Sequence, residues 1–166
     1  MGGHVQRSNR KIDELMNLHE KPTTQADINS LIENIREEDR REIISKTGSE
    51  DIKKTLVNGW LISDYCNSFF KDDVLIGIYG VVAAEKKEIG SPFMLLTKEI
   101  KSTPIGFLKH CREKVSDMEK RYSILFNYID SRNDLHLRWL KWLGFEIINE
   151  KIFNKVPFYG FFKGEK

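Results

Sequence analysis

Apolar positions in this chain recur with two periods, and the switches between them mark its elements. Ile28, Leu31, Ile32 and Ile35 follow an i, i+3, i+4, i+7 spacing, which predicts a helix with one buried face and Asp27 as its cap. A dense mixed-charge run, Arg36-Glu37-Glu38-Asp39-Arg40-Arg41-Glu42, follows. It reads as the solvated face of a second helix, paired at i, i+4, with Ile43 and Ile44 buried and Gly48 as the stop. Ser49-Glu50-Asp51 open a third helix that uses Ile52, Leu56 and Val57 and frays near Asn58-Gly59.

The period then shortens. Tyr65 to Phe70 is aromatic-rich, and Lys71-Asp72-Asp73 makes a turn. Val74 to Ala83 is a strongly β-like run in which Gly77 and Gly80 mark a bulge or a close backbone approach. Glu85 to Gly90 is a charged hairpin loop, and Ser91 to Thr97 a short buried strand. Ser102-Thr103-Pro104 reads as a cap plus a first-turn proline. That helix runs through Ile105, Leu108, Cys111 and Val115 toward Met118. A strand over Tyr122 to Ile129 precedes a helix over Asn133 to Leu143, in which Trp139 and Trp142 share a side that packs on the sheet. Phe145 to Phe153 and Val156 to Phe162 form the last two strands around Asn154-Lys155.

Helices, a three-strand meander, then helix, strand, helix and two strands define an α+β fold, a mixed α/β sandwich. Its central sheet is mostly antiparallel with one parallel crossover, and helices cover both faces. Residues 1–21 read as a polar arm, flexible or with a short helix over Ile12 to Leu18. A single domain spans 22–166.

Composition narrows the classes. An apolar fraction of 40% and a charged fraction of 31% over 166 residues suit one globular domain. A net charge of +2 gives no global attraction to nucleic acid, and none is expected as a partner. No apolar run reaches the ~20 residues that span a bilayer. The first residues hold no signal-peptide stretch, so no membrane association is expected. Cys66 and Cys111 stand outside any metal-binding spacing. They read as reduced thiols of a cytosolic protein, although sequence leaves a disulfide open, and no metal is expected.

The segment Asn133-Asp-Leu-His136-Leu-Arg-Trp139-Leu140-Lys-Trp142-Leu-Gly144-Phe145 carries the most specific signal. An Asn-started helix that ends in Gly-Phe directly after an apolar strand resembles the last helix of the GCN5-related N-acetyltransferase (GNAT) superfamily. The element order resembles that family over about Thr23 to Lys163. More narrowly, Asn34 to Asp39, Gly90 to Leu95 and Asn133 to Phe145 resemble short acetyltransferase-like proteins of tailed bacteriophages, including the internal virion protein family of podoviruses.

The resemblance implies acetyl transfer from acetyl-CoA to an amine, with acetyl-CoA or coenzyme A as co-substrate. The strand before the Pro104 helix, through Met94, Leu95, Leu96 and Thr97, would bond the pantetheine arm by its main chain. The N-terminus of that helix, with Lys98, Lys101, Ser102 and Thr103, would receive the pyrophosphate, and Asn133 completes the cofactor set. The family's glycine-rich phosphate loop is missing, since Thr97 to Gly106 holds one glycine. Leu140 stands where the family places a tyrosine acid. His136, one turn earlier, is the natural substitute, and Tyr128 and Tyr159 are alternative donors. Asn127 and Asp130 would orient substrate or water, and Glu37, Glu38 and Asp39 would meet a cationic acceptor. The bland readings are a structural histidine, strand-end caps and a solvated helix face.

Two functional classes follow. One is a phage-encoded N-acetyltransferase acting on a small-molecule or protein amine in the host cytoplasm. The other is a catalytically impaired virion or assembly protein on the same scaffold. A regulator that binds or modifies a host protein is a third.

Overall fold

The computed structural model describes residues 17–102 and 104–164. Strand β1 (Leu18–Pro22) precedes helices α1 (Gln25–Asn34), α2 (Glu37–Thr47) and α3 (Ile52–Ile62). The meander β2 (Tyr65–Lys71), β3 (Val74–Ala83) and β4 (Ile89–Leu96) follows. A 3₁₀ turn (Lys98–Ser102) then leads into α4 (Pro104–Arg121), β5 (Ile124–Asp130), α5 (Asp134–Trp142) and the hairpin β6 (Glu146–Phe153) and β7 (Val156–Gly164). The strands make one seven-stranded sheet in the order β1-β2-β3-β4-β5-β7-β6. Only β4 and β5 run parallel, as the strand-helix-strand pattern requires.

The helices bury two separate cores, one on each face of the sheet. Ile28, Leu31, Ile43, Ile52 and Leu56 pack with Ile78 on one side. Phe107, Val115, Met118, Trp139 and Leu143 pack with Val81 and Leu125 on the other. Strand β3 serves both. A register shift against Phe69 and Phe70 leaves Ile76 as the extra residue of a bulge, so Leu75 and Ile78 face one core while Ile76, Tyr79 and Val81 face the other. The two glycines serve the close approach. A Cβ on Gly80 would lie 2.4 Å from the Tyr65 carbonyl oxygen, and one on Gly77 would lie 2.7 Å from Leu96 Cδ2.

Several expectations need correction. Helix α1 is capped by Thr24. Its hydroxyl accepts from Asp27 N–H, and Asp27 returns a bond to Thr24 N–H, so Asp27 is the third residue of a capping box. Helix α3 does not fray at Asn58-Gly59, because Trp60 still packs on its core. Trp142 is 42% exposed and lies under the Arg112 guanidinium at 3.6 Å, so only Trp139 of the pair is core. Cys66 and Cys111, by contrast, are free thiols as expected.

Residues 1–16 of the expected arm lie outside the described residues. Its last part is ordered as β1, paired antiparallel with β2. Polar Leu18-His19-Glu20-Lys21 gives no strand pattern because its anchors lie elsewhere in sequence. Glu20 accepts bonds from Tyr79, from His110 at 3.1 Å and from Lys114 at 2.5 Å. Burial works to raise the Glu20 pKa, but the bonds from His110, Lys114 and Tyr79 outweigh it and hold the carboxyl down at about 2. A carboxyl depressed in the folded state stabilises above its ordinary value of 4.5, and that contribution is lost as pH falls toward 2. Glu20→Gln is therefore expected to cost about 1–2 kcal/mol at neutral pH, allowing for partial solvent screening. In urea titrations the deficit should shrink toward zero near pH 2.

Candidate active site in the cleft between β4 and β5

Strands β4 and β5 pair only at Ile89–Ile124 and Gly90–Leu125. Beyond that point they separate, each remaining tied to its other neighbour, β3 or β7. The main-chain groups that would have joined them line a cleft. A cavity of about 350 Å³ passes through the sheet here, reaching Leu31 and Leu56 on one side and Val115 and Trp139 on the other.

Each rung of the cleft has a specific fate. Where the strands first part, Asn127 Nδ2 donates to the Pro92 carbonyl at 2.9 Å, a side chain replacing the lost main-chain bond. Its Oδ1 accepts from Tyr128 N–H at 2.8 Å and from Lys46 Nζ at 2.9 Å. At the far end, Leu96 N–H donates to Asp39 Oδ2 at 2.9 Å, and Leu96 O accepts from Arg36 N–H at 3.0 Å. Between them lies Met94. Alternation along β4 turns its N–H and C=O into the cleft, where they meet no hydrogen-bond partner among the described residues. Met94 is therefore the open rung.

Helix α2 supplies the polar side chains. Asp39, Glu42, Ile43 and Lys46 occupy the i, i+3, i+4, i+7 positions of the face turned inward, three of them ionisable. Glu42 Oε1 accepts from Asp130 N–H at 2.8 Å, and its other oxygen has no partner among the described residues. Burial pushes the Glu42 pKa up to about 8. The Asp130 N–H bond and Lys46 act against this, while Asp39 and Asp130 reinforce it. Burial likewise lowers the Lys46 pKa, against the pull of Glu42.

Asp39, Asn133 and His136 form a buried cluster at 0%, 0% and 4% exposure. Asn133 Nδ2 donates to Asp39 Oδ1 at 3.0 Å and lies 3.3 Å from His136 Nδ1. The carboxylate demands the amide nitrogen toward it. That nitrogen can only donate to the imidazole, so His136 Nδ1 is the acceptor and Nε2 carries the proton. Burial lowers the His136 pKa against the opposing charge of Asp39, which keeps the ring neutral at pH 7. Its Nε2 makes no hydrogen bond and stands 3.6 Å from Asp39 Oδ1; Asn133 Oδ1 is also without a partner, and His136 lines the cavity.

The cleft collects several of the residues singled out by sequence. Met94, Leu95, Asn127, Tyr128 and His136 line the cavity, as does the apolar Leu140. The Tyr128 hydroxyl accepts from Asn149 Nδ2 at 3.5 Å. Asn149 lies over Gly160, where a Cβ would come within 1.9 Å of it.

Other expected residues sit elsewhere or are engaged. Tyr159 packs against the core beneath α4 and α5, away from the cavity lining. Thr97 is buried, and its hydroxyl donates to the bulge carbonyls of Leu75 at 2.7 Å and Ile76 at 3.1 Å. Asp130 is buried, and the bonds it takes from Arg132 hold its carboxyl below the usual range despite burial. Glu37 and Glu38 are exposed, Glu38 pairing with Arg36 at 3.5 Å. Asp39 corrects the solvated-face expectation, because it is fully enclosed. Asn133 starts α5 by position, but its side chain makes no cap bond.

At the β4–α4 junction, Lys98 and Lys101 are exposed. Ser102 closes the 3₁₀ turn by donating to Glu99 O at 2.8 Å, and Thr103 lies outside the described residues. Sequence reasoning missed Glu42, which was read as part of the solvated helix face, and Lys46, which it did not single out.

The fold is that of GNAT acetyltransferases. The acetyltransferase (GNAT family) of Bacillus anthracis superposes with a TM-score of 0.68 at 10% identity, over 88% of this chain and 93% of its own. The ribosomal-protein-alanine N-acetyltransferase of Brucella melitensis gives 0.64 at 12% identity, covering 89% and 99%. The Salmonella typhimurium protein yncA, solved with its cofactor acetyl-CoA, gives 0.62 at 9% identity, covering 89% and 93%. Likeness at these identities defines the fold. No family model matches the sequence, and no curated protein matches it. Among the described residues no helix is long and apolar enough to cross a membrane, and no group of His, Cys, Asp and Glu is arranged to hold a metal.

Proposed function

We propose that this chain is an acetyl-CoA-dependent N-acetyltransferase of the GNAT superfamily, acting on an amine of a small molecule or protein. The observation that carries this is the open Met94 rung inside a cavity crossing the sheet where β4 and β5 part. Acetyl-CoA supplies the activated acetyl group. In this reading the Met94 N–H polarises its carbonyl, a fixed main-chain dipole in a largely dry site. The neutral His136 Nε2–H provides a second donor, to the departing sulfur. The α4 N-terminus with Lys98, Lys101, Ser102 and Thr103 receives the pyrophosphate. Tyr128 stands on the β5 wall and offers a phenol there, while Glu37 and Glu38 offer negative charge to an arriving cation.

The resemblance of Asn34 to Asp39, Gly90 to Leu95 and Asn133 to Phe145 supports a phage origin, with action in the host cytoplasm. A second reading is a catalytically impaired virion or assembly protein, or one that binds a host partner. It is favoured by the Leu96 rung, which Asp39 and Arg36 already hold, and by Leu140 in place of an acid.

Calorimetry separates the two. The transferase reading expects saturable acetyl-CoA binding with a Kd below about 1 mM, a free energy near −4 kcal/mol or better. Absence of binding at that concentration, together with recovery of the protein at defined copy number in purified particles, would establish the second.

A further inference from the structure

We propose that Glu42 is the residue that takes the proton from the incoming amine, an assignment that rests on the acetyl-transfer reading above. Three features of its geometry point there. Glu42 lines the cavity on the β5 side, across the cleft from the open Met94 rung. One carboxyl oxygen is fixed by Asp130 N–H at 2.8 Å, which orients the group, and the other is free of partners among the described residues. Its helix presents no apolar side chain at that position, although the cavity around it is otherwise mostly apolar.

A carboxyl whose one hydrogen-bond partner among the described residues is a strand-end N–H is poorly explained as a structural device. A backbone donor at the mouth of a cleft can be satisfied by water, without burying a charge. Raising such a carboxyl toward neutrality by burial is how a fold matches a base to an amine at neutral pH. Asp39 and Lys46 on α2 and Asp130 on β5 act on it, and Tyr128 on β5 and His136 on α5 line the same cavity. Lys151 of β6 acts on it through Lys46, and Arg132 neutralises Asp130.

The step balances as follows. The ammonium loses one proton to the Glu42 carboxylate. The freed nitrogen forms the C–N bond as the C–S bond breaks, and the remaining excess proton on nitrogen passes to the departing sulfur to give the thiol. The Glu42 carboxylic acid then returns its proton to water.

The test compares wild type, Glu42→Gln and Glu42→Asp as full chains. n-Butylamine serves as the amine probe, thiol release from acetyl-CoA is followed, and acetyl-CoA binding is measured in parallel. For wild type, the rate rises about tenfold per pH unit up to about pH 8 and then levels. Glu42→Gln binds acetyl-CoA normally, loses about 10²-fold or more in rate and loses the limb near pH 8. Glu42→Asp, which also guards against a folding failure of the amide, keeps the limb at reduced rate.

Infrared difference spectra of the unliganded chain give an independent reading. A protonated carboxyl band present at pH 7 should be absent from Glu42→Gln. An unchanged rate profile in the amide variant overturns the assignment. So does a Glu42 ionised at pH 7, or a wild type that binds acetyl-CoA yet releases no thiol with the amine at any pH. A wild type that fails to bind acetyl-CoA overturns the transferase reading instead.

Discussion

Asp39→Ala should lower the unfolding free energy by about 3–5 kcal/mol, the range for removing one partner of a buried, hydrogen-bonded charge. Asp39 is fully enclosed and joins three elements. It accepts the Leu96 N–H at the end of β4, takes the Asn133 amide at the start of α5, and stands 3.4 Å from Arg36 at the start of α2. Alanine leaves the Leu96 and Asn133 donors buried without acceptors and removes the tie across the mouth of the cleft. The measurement is a urea transition, whose midpoint should fall while its slope holds. A loss under about 1 kcal/mol would mean that the cluster is reached by water and that Asp39 does not organise the cleft. The same variant frees the Asn133 amide to turn. The His136 ring should then lose its single tautomer, which nitrogen chemical shifts of a labelled ring report directly.

Glu42→Gln should have the opposite effect on stability, with a defined pH window. In the folded chain the carboxyl titrates at about 8, raised from 4.5. Below the lower value both states hold the proton, and the glutamate carries no penalty. Between the two values the unfolded chain ionises while the folded chain stays protonated. Folding therefore weakens as pH rises, and above the upper value the deficit is constant. The amide cannot ionise and keeps an oxygen for the Asp130 N–H. Allowing for the partial access of water to Glu42, the variant should be more stable than wild type by about 2 kcal/mol near pH 9, a rise of several degrees in Tm. The gain should vanish near pH 4. Circular-dichroism melts at both pH values read this. A variant that is less stable near pH 9 would assign Glu42 a structural task and weaken the case for a catalytic one. A residue that destabilises the fold in order to stay poised at a site is the usual trade between stability and activity.

The fold was largely legible because its elements follow local rules. Val74 to Ala83 has matching bounds in pattern and structure, and Gly77 and Gly80 mark both the bulge and the close approach. Gly48 and Gly144 close their helices, and the parallel crossover follows from a helix placed between two strands. The misses share one cause: charge that folds inward through long-range contacts. Strand β1 is nearly all polar, and its stability comes from Tyr79, His110 and Lys114, some 59 to 94 residues away in sequence. Helix α2 carries its buried stripe at Asp39, Glu42, Ile43 and Lys46. A reader counting apolar residues sees one isoleucine and assigns the rest to water.

The candidate site was legible except on its α2 side. Met94, Asn127, Tyr128 and His136, singled out from sequence, line the cavity because they lie on strands and a helix whose order is readable. Glu42 and Lys46 were not singled out, because their burial depends on β4 and β5 parting, and that separation has no sequence period. One signal was available in hindsight: the charged positions in α2 continue the i, i+3, i+4, i+7 spacing that marks a helix face packed against something.

The central claim is that the cleft opened by β4 and β5 is an acyl-donor site. A crystal structure of the chain soaked with coenzyme A tests it most directly. We expect the pantetheine arm to enter between the strands, bond the Met94 main chain and bring its sulfur within reach of His136 Nε2. Coenzyme A bound elsewhere on the surface, or a cleft still closed around Asp39 and Asn133 at saturating ligand, would contradict it.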